Sequence, residues 1–135
     1  MRTHLEFQSP AFDPAPGEDE ETNPGIFGKR LAEYLADAFR QLGYGAPSIT
    51  SEDHGWWVQL DNRDFPLALI CASHDAPPNW LVCIEPSQPK LRKLFKSIDT
   101  TAVVETIAVH LETTLLASGK ATDLRWWNDH DSGRH

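Results

Sequence analysis

The period of the apolar residues changes at Pro47, and this change limits the folds open to the chain. Before it, apolar residues recur every three or four positions, the period of an amphipathic helix. After it come strand-like segments at 48–50, 56–61, 65–72 and 80–85, and a second helical pattern follows. The sequence therefore predicts an α+β fold, a mainly antiparallel sheet of five to six strands with two amphipathic helices packed on one face.

The two long helices are predicted from their apolar stripes. The first runs from about Gly25 to Leu42, with the stripe Leu31, Tyr34, Leu35, Ala38, Phe39 and Leu42. The second is capped by Asp99 or Thr100 and ends before Gly119, with the stripe Val104, Ile107, Ala108, Leu111 and Leu115. Between them, 90–96 is predicted to be a short helix anchored by Leu91, Leu94 and Phe95, with its four cations on a solvated face.

The strands are assigned from side-chain alternation. Within 56–61, Trp56, Val58 and Leu60 share one face, whereas Trp57, Gln59 and Asp61 share the other. The turn residues 61–64 predict a hairpin to 65–72, and the strongly apolar 80–84 predicts a central strand. Short strands at 5–8 and 121–127 complete the sheet. Exposed aromatic residues favour binding, and Trp57, Trp126 and Trp127 are the candidates.

Length and composition indicate one globular domain. The chain has 135 residues, of which 40% are hydrophobic, enough for a single core. The longest strongly apolar run, 66–72, is too short to span a bilayer, and the N-terminus lacks a signal-peptide pattern. We therefore expect a cytoplasmic protein with no membrane partner. The net charge of −8 argues against nucleic acid as a ligand and permits a basic partner.

Two segments are predicted to lie outside regular structure. Residues 9–25 form an acidic loop rich in Pro and Gly, expected to be solvated and mobile. Its run of four acids, 18–21, is an additional candidate for partner binding through mimicry of phosphates. Residues 128–135 are predicted to form a flexible tail.

No catalytic or metal motif stands out. Cys71 and Cys83 lie in no recognisable nucleophile motif and are expected to be thiols rather than a disulfide. The pair His130 and Asp131, with His135, falls in the predicted tail, where nothing fixes metal ligands. We therefore expect no catalytic residue, no metal site and no cofactor.

The segment 51–58 combines two acids, a glycine turn and two tryptophans. Glu52, Asp53, Gly55 and Trp56 resemble the Glu-Asp-(aromatic)-Gly-Trp motif of a diffuse set of small bacterial proteins, and His54 stands where the aromatic is usual. Some of these proteins look like immunity proteins of toxin systems. The resemblance covers roughly 23–127 and includes the order of helix, strand, motif, apolar strand and late helix. It implies kinship of fold and transfers no catalytic residue.

The leading hypothesis is a non-enzymatic, cytosolic immunity protein that neutralises a cognate toxin. Its binding surface is predicted to be acidic and aromatic, formed by Glu52, Asp53, Trp57, Asp61 and Asp64. One alternative is a small enzyme or ligand-binding domain with a pocket near Glu52, Asp53 and His74, where the two acids would act as general acid and base. Another is a structural subunit that forms a homodimer through its Trp-bearing face.

Overall fold

The computed structural model describes residues 1–127, whose centre is a six-stranded antiparallel sheet. Its strands are β1 (His4–Gln8), β2 (Ser48–Glu52), β3 (Gly55–Leu60), β4 (Leu67–Ser73), β5 (Asn79–Glu85) and β8 (Thr122–Trp127). They lie in the order β2-β3-β4-β5-β1-β8. The hairpin predicted between 56–61 and 65–72 is therefore confirmed as β3 and β4, and β5 is an inner strand as predicted.

Two helices, α1 (Lys29–Gln41) and α2 (Thr101–Ser118), pack with the sheet around one core. The strand residues in this core come from one side of each strand, for example Val58, Leu69 and Ile84. We call this side the helix face and the opposite side the open face. The α+β class and the five predicted core residues of α2 are confirmed. No helix in residues 1–127 is long and apolar enough to cross a membrane.

Helix α1 begins four residues later than the sequence predicts, because the preceding segment is bound to β4. The Ser73 hydroxyl donates to the carbonyl of Gly25 and accepts from the N–H of Phe27. The N–H of Ser73 also donates to the carbonyl of Phe27, at 2.7 Å. These bonds use backbone groups that a helical turn would need, and so the helix begins only after Gly28.

The apolar stripe of α1 is also rotated from the predicted one. The buried residues are Leu31, Ala32, Leu35, Ala36 and Phe39. Tyr34 and Leu42, both predicted to be core, are 38% and 44% exposed. Tyr34 instead packs at the edge of the core, with its ring 5.5 Å from that of Phe12. Ala32 and Ala36, which the prediction left out of the stripe, are buried in the core in its place.

The prediction of a short helix over 90–96 is wrong. This segment belongs to a separate two-stranded antiparallel sheet of β6 (Lys90–Lys93) and β7 (Lys96–Asp99), which we call the basic ribbon. Leu91 and Ile98 pair across it and pack against the core. Leu94 and Phe95, predicted as apolar anchors, form the connection at its tip and are fully exposed. Strand pairing overrides the helical spacing because it places Leu91 and Ile98 side by side.

The acidic loop contains one buried carboxylate, in contrast to the solvated run predicted for 18–21. Residues Glu18–Glu20 form a single 3₁₀ turn, and Glu18 is only 4% exposed. Its carboxylate accepts backbone N–H groups from Ala15, Gly28 and Lys29, at 2.8, 2.8 and 3.1 Å. Glu18 therefore caps the N-terminus of α1, where the helix dipole favours a negative charge.

Candidate functional site

The open face of the sheet carries one row of residues that crosses all six strands. The register aligns Thr50, Trp57, Ile70, Cys83, His4 and Trp127, in that order. Trp57, Ile70 and Cys83 are half-buried, although the residues next to them in sequence on the helix face are fully buried. From Trp57 to Trp127 the row is therefore a mainly apolar strip on the side of the sheet away from the helices.

The five residues predicted to bind a partner lie along β2 and β3, and we call them the acidic edge. Glu52 ends β2 on the same face as Trp57, since Thr50 and Trp57 pair and Glu52 follows two residues later. Asp53 lies in the turn, with its carboxylate exposed and its carbonyl accepting the N–H of Asn23 at 2.8 Å. The turn thus anchors the acidic loop while its two carboxylates face solvent.

Gly55 has a structural role in this turn. A Cβ at this position would lie 2.8 Å from the carbonyl oxygen of Cys71 and 3.2 Å from Cγ2 of Ile70. Glycine therefore permits β3 to approach β4 closely at its first residue. Trp56 then packs in the core, with Nζ of Lys29 5.5 Å from its ring centroid. In this structure Gly55 and Trp56 support the fold, whereas Glu52 and Asp53 remain accessible.

Asp61 and Asp64 lie at the other end of β3. Asp61 is exposed, and its carboxylate lies over Gly45, where a Cβ would approach Oδ2 to 2.0 Å. Asp64 is exposed in the turn between β3 and β4. The six residues of β3 rise about 3.3 Å each, so its ends lie about 17 Å apart. The structure thus separates the acids into two pairs, with Trp57 between them.

The carboxylates of the acidic edge have no ion-pair partner among the residues that the structure describes. Among residues 1–127, none of Glu52, Asp53, Asp61 and Asp64 has a Lys, Arg or His nitrogen within 4.0 Å. Arg63 is the nearest cation in sequence, in the same turn as Asp64. Four charges that remain solvated and unpaired are available to a partner without breaking an existing ion pair.

His74 does not join Glu52 and Asp53 in a pocket. Its Nε2 lies 3.8 Å from Oε1 of Glu6 on β1, and no hydrogen bond or ion pair links it to either acid within the described part of the chain. The loop after β4 instead forms one wall of a polar pocket of about 280 Å³ at the β1 end of the open face. That pocket is lined by Glu6, Phe7, Gln8, His74, Asp75, Asn79, Trp80, Asp123 and Arg125.

Glu6 is the centre of this pocket, which the sequence analysis did not identify. It is 7% exposed and accepts hydrogen bonds from Nε1 of Trp127 at 2.7 Å and from Arg125 at 3.0 Å. The pairing of β1 with β8 is irregular between Glu6 and Gln8, and Asp123, opposite this point, has a φ of 54°. Asp123 lies at this irregularity and is one of the residues that line the pocket. The sequence predicted a short strand at 5–8, but no sequence pattern pairs Glu6 with Arg125.

The other two tryptophans predicted as binding candidates, Trp126 and Trp127, lie on opposite faces of the sheet. Trp126 is half-buried and donates its Nε1–H to Glu112 of α2 at 3.1 Å, so it covers the core edge on the helix face. Trp127 is buried on the open face, where its ring stacks on His4 at 4.1 Å. Of the three tryptophans predicted as binding candidates, Trp57 is therefore the one on the acidic edge.

The two cysteines are thiols on opposite faces of the sheet. Cys71 lies on the helix face and Cys83 on the open face of neighbouring strands, and neither is in a disulfide. Burial raises the pKa of the Cys71 thiol, with Cys83 adding to the effect, which opposes thiolate chemistry. Within residues 1–127 no three His, Cys, Asp or Glu side chains cluster as metal ligands. The predicted tail group of His130, Asp131 and His135 lies outside the described residues.

Comparison of the chain with family models, with curated proteins and with solved structures finds no match.

Proposed function

We propose that this chain is a non-enzymatic protein-binding domain whose acidic edge recognises a basic partner protein. The observation that carries the proposal is the arrangement of Trp57 between two pairs of unpaired, exposed acids. The pairs lie about 17 Å apart, a span that suits a protein surface and exceeds a small ligand. Tryptophan is enriched in interface hot spots, and the flanking carboxylates would steer a basic partner toward it.

The finer proposal is an immunity protein that neutralises a cognate toxin in the cytoplasm. It rests on the resemblance of Glu52, Asp53, Gly55 and Trp56 to the motif of small bacterial proteins, some of which look like such inhibitors. The charges of the acidic edge would accelerate encounter with a basic toxin, and burial of Trp57 would slow its release. Inhibition by occlusion needs no catalytic group in this chain.

To test this, the tagged chain is used to capture its partner from the native host, and the partner is identified by mass spectrometry. The association and dissociation rate constants of the purified partner are then measured. In Asp53→Lys with Asp64→Lys, one charge of each acid pair is reversed, and we expect the association rate to fall by roughly tenfold or more at low salt. Trp57→Ala is expected to act mainly on dissociation. Asp13→Lys with Glu33→Lys makes the same change in net charge on exposed residues outside the edge and should leave binding nearly unchanged.

Two results would count against the acidic edge. One is an unchanged dissociation constant for the purified partner with the Asp53 and Asp64 variant, provided that its unfolding midpoint matches the wild type. The other is equal weakening by the control variant, which would reduce the effect to net charge alone. A captured partner that is basic and toxic when expressed without this chain would support the immunity role specifically.

As a second candidate we propose a ligand-binding or enzymatic role at the pocket around Glu6, which includes His74 but neither Glu52 nor Asp53. The buried carboxylate beside His74 and Arg125 is the specific observation in its favour. A screen of small cationic and anionic metabolites by NMR would test it, because ligand-induced shifts should concentrate at 6–8, 74–79 and 123–125. Shifts spread over the sheet, or none, would reject the pocket. Light scattering of the purified chain tests the homodimer alternative.

A further inference from the structure

The basic ribbon is a second surface whose chemistry is opposite to that of the acidic edge. Lys90, Arg92, Lys93 and Lys96 provide four of the twelve cations of the chain, and 90–96 contains no acid. Subtracting these four charges from the net charge of −8 leaves −12 on all the other residues. Arg92, Lys93 and Lys96 have no carboxylate within 4.0 Å among residues 1–127. The ribbon therefore concentrates unpaired positive charge on an otherwise acidic chain.

The tip of the ribbon carries apolar side chains that the fold does not use. Leu91 and Ile98 attach the ribbon to the core, whereas Leu94 is 95% exposed and Phe95 is fully exposed. Leu94 also has a φ of 55°, a conformation that two-residue hairpin connections usually give to Gly, Asn or Asp. A large apolar residue at this position adds backbone strain and exposes apolar surface. Neither effect stabilises the isolated chain, so the side chains are explained better by a partner.

A groove of about 740 Å³ lies beside this tip. It is lined by Arg63 and Asp64 from the turn after β3 and by 93–99 of the ribbon. The ribbon contains only two paired strands in the described chain, so each of them has one edge whose backbone groups are not bonded to a neighbouring strand. Free strand edges bind extended segments through backbone hydrogen bonds. The groove, the free edges and the cations thus occur at one place.

We propose that the basic ribbon binds an extended, acidic segment of a partner protein that places an apolar side chain against Leu94 and Phe95. Two acids, Asp64 of the acidic edge and Asp99, also line the groove, but its lining has three cations, and β6 carries two more. This excess of positive charge favours an anionic occupant, and the groove with its strand edges selects a polypeptide. A bilayer is flat and makes no use of a groove or of a strand edge. A nucleic acid would extend past the ribbon toward residues with a net charge of −12. A second copy placed ribbon to ribbon would bring like charges together.

The probe is a fluorescein-labelled peptide that alternates glutamate with valine around a central phenylalanine, titrated with the full chain and followed by anisotropy. We expect saturable binding that weakens with salt, and a dissociation constant raised roughly tenfold by Lys93→Glu with Lys96→Glu. Leu94→Gly with Phe95→Ser should weaken binding as well. That variant relieves the positive φ at Leu94 and removes no core contact, so it should fold at least as well as the wild type.

The matched control is Arg30→Glu with Lys120→Glu, which makes the same change in net charge on exposed residues away from the ribbon. Binding that survives in this control and falls in both ribbon variants supports the proposal. Equal loss in the control, no saturable binding by the wild type, or retained binding by the Leu94 and Phe95 variant would overturn it. So would tighter, ribbon-dependent binding of an oligothymidylate, or of vesicles made of equal amounts of phosphatidylcholine and phosphatidylserine. Light scattering at the titration concentrations would overturn it if the ribbon variants abolished a dimer.

Discussion

The two faces of the six-stranded sheet differ in what their alternating residues do. On the helix face, successive strands contribute Val58, Leu69 and Ile84, all of which are fully buried. On the open face, the neighbouring positions are Trp57, Ile70 and Cys83, all half-buried. The same strands therefore carry one set of side chains that hold the fold and another that remains accessible. Separating stability from recognition in this way means that substitutions on the two faces should have different consequences.

The largest expected difference between the faces is at the adjacent residues Leu69 and Ile70. Leu69 is 0% exposed, and Leu69→Ala should lower the free energy of unfolding by about 2–5 kcal/mol through loss of burial and creation of a cavity. Ile70→Ala should cost about 1–2 kcal/mol, because water can fill the space that it leaves on the open face. Urea unfolding of both variants measures the difference. Equal costs would mean that the open face is packed in solution and not available for binding.

The next largest expected effect on stability is at Glu18, the buried carboxylate that caps α1. Glu18→Ala should cost about 2–3 kcal/mol, since it leaves the N–H groups of Ala15, Gly28 and Lys29 without their acceptor. Glu20 is exposed in the same turn, and Glu20→Ala should change stability by less than about 0.5 kcal/mol. Urea unfolding again provides the measurement. A similar small effect for both would show that the loop does not cap α1 in solution.

The third expected effect is at Glu6, a carboxylate that is buried on the open face, where most neighbouring side chains are accessible. Glu6→Gln retains an oxygen for Nε1 of Trp127 but loses the charged bond to Arg125, so we expect a cost of about 1–2 kcal/mol. The side chain of Arg125 is 68% exposed, and Arg125→Met should cost less than about 1 kcal/mol. Thermal or urea unfolding of the two variants distinguishes them. If Arg125→Met were the more destabilising change, the carboxylate would not be the buried member of the pair.

These contrasts also show which parts of the fold could be predicted from the sequence. The α2 stripe and the alternation in β3 were predictable because burial follows the helical and strand periods directly. The start of α1 was not, since it depends on Ser73, which is 48 residues from Gly25 in the chain. The basic ribbon was missed because Leu91, Leu94 and Phe95 have helical spacing, whereas the contact that matters is between Leu91 and Ile98. In both cases the decisive contact is a pairing that the apolar period does not record.

The candidate site was predictable to a similar extent. Alternation placed Trp57 and Asp61 on the less apolar face, and turn chemistry placed Asp53 and Asp64 in exposed turns, as the structure shows. The pocket around Glu6 could not be predicted, because it joins residues from β1, the loop after β4, and β8. Strand order brings these segments together, and strand order is not encoded in the period of any one of them.

The smallest expected effect is a pH dependence at Glu105, where α2 is held to the N-terminal segment that leads into β1. Burial acts to raise the pKa of Glu105, but the backbone and side-chain hydrogen bonds and the charge of Arg2 outweigh it, so the pKa is lowered. A carboxyl group with a lowered pKa in the folded state contributes stability above its unfolded pKa and loses it as pH falls through the folded pKa. Because both side chains are about one-third exposed, we expect the pair to contribute on the order of 0.5 kcal/mol of stability, which is lost between about pH 5 and pH 3.

Glu105→Gln should therefore be less stable than the wild type near neutral pH and approach it in acid, whereas Glu33→Gln, on an exposed part of α1, should follow the wild-type curve. Urea midpoints across this range measure both, and parallel curves for the wild type and Glu105→Gln would mean that Arg2 does not hold Glu105 in solution.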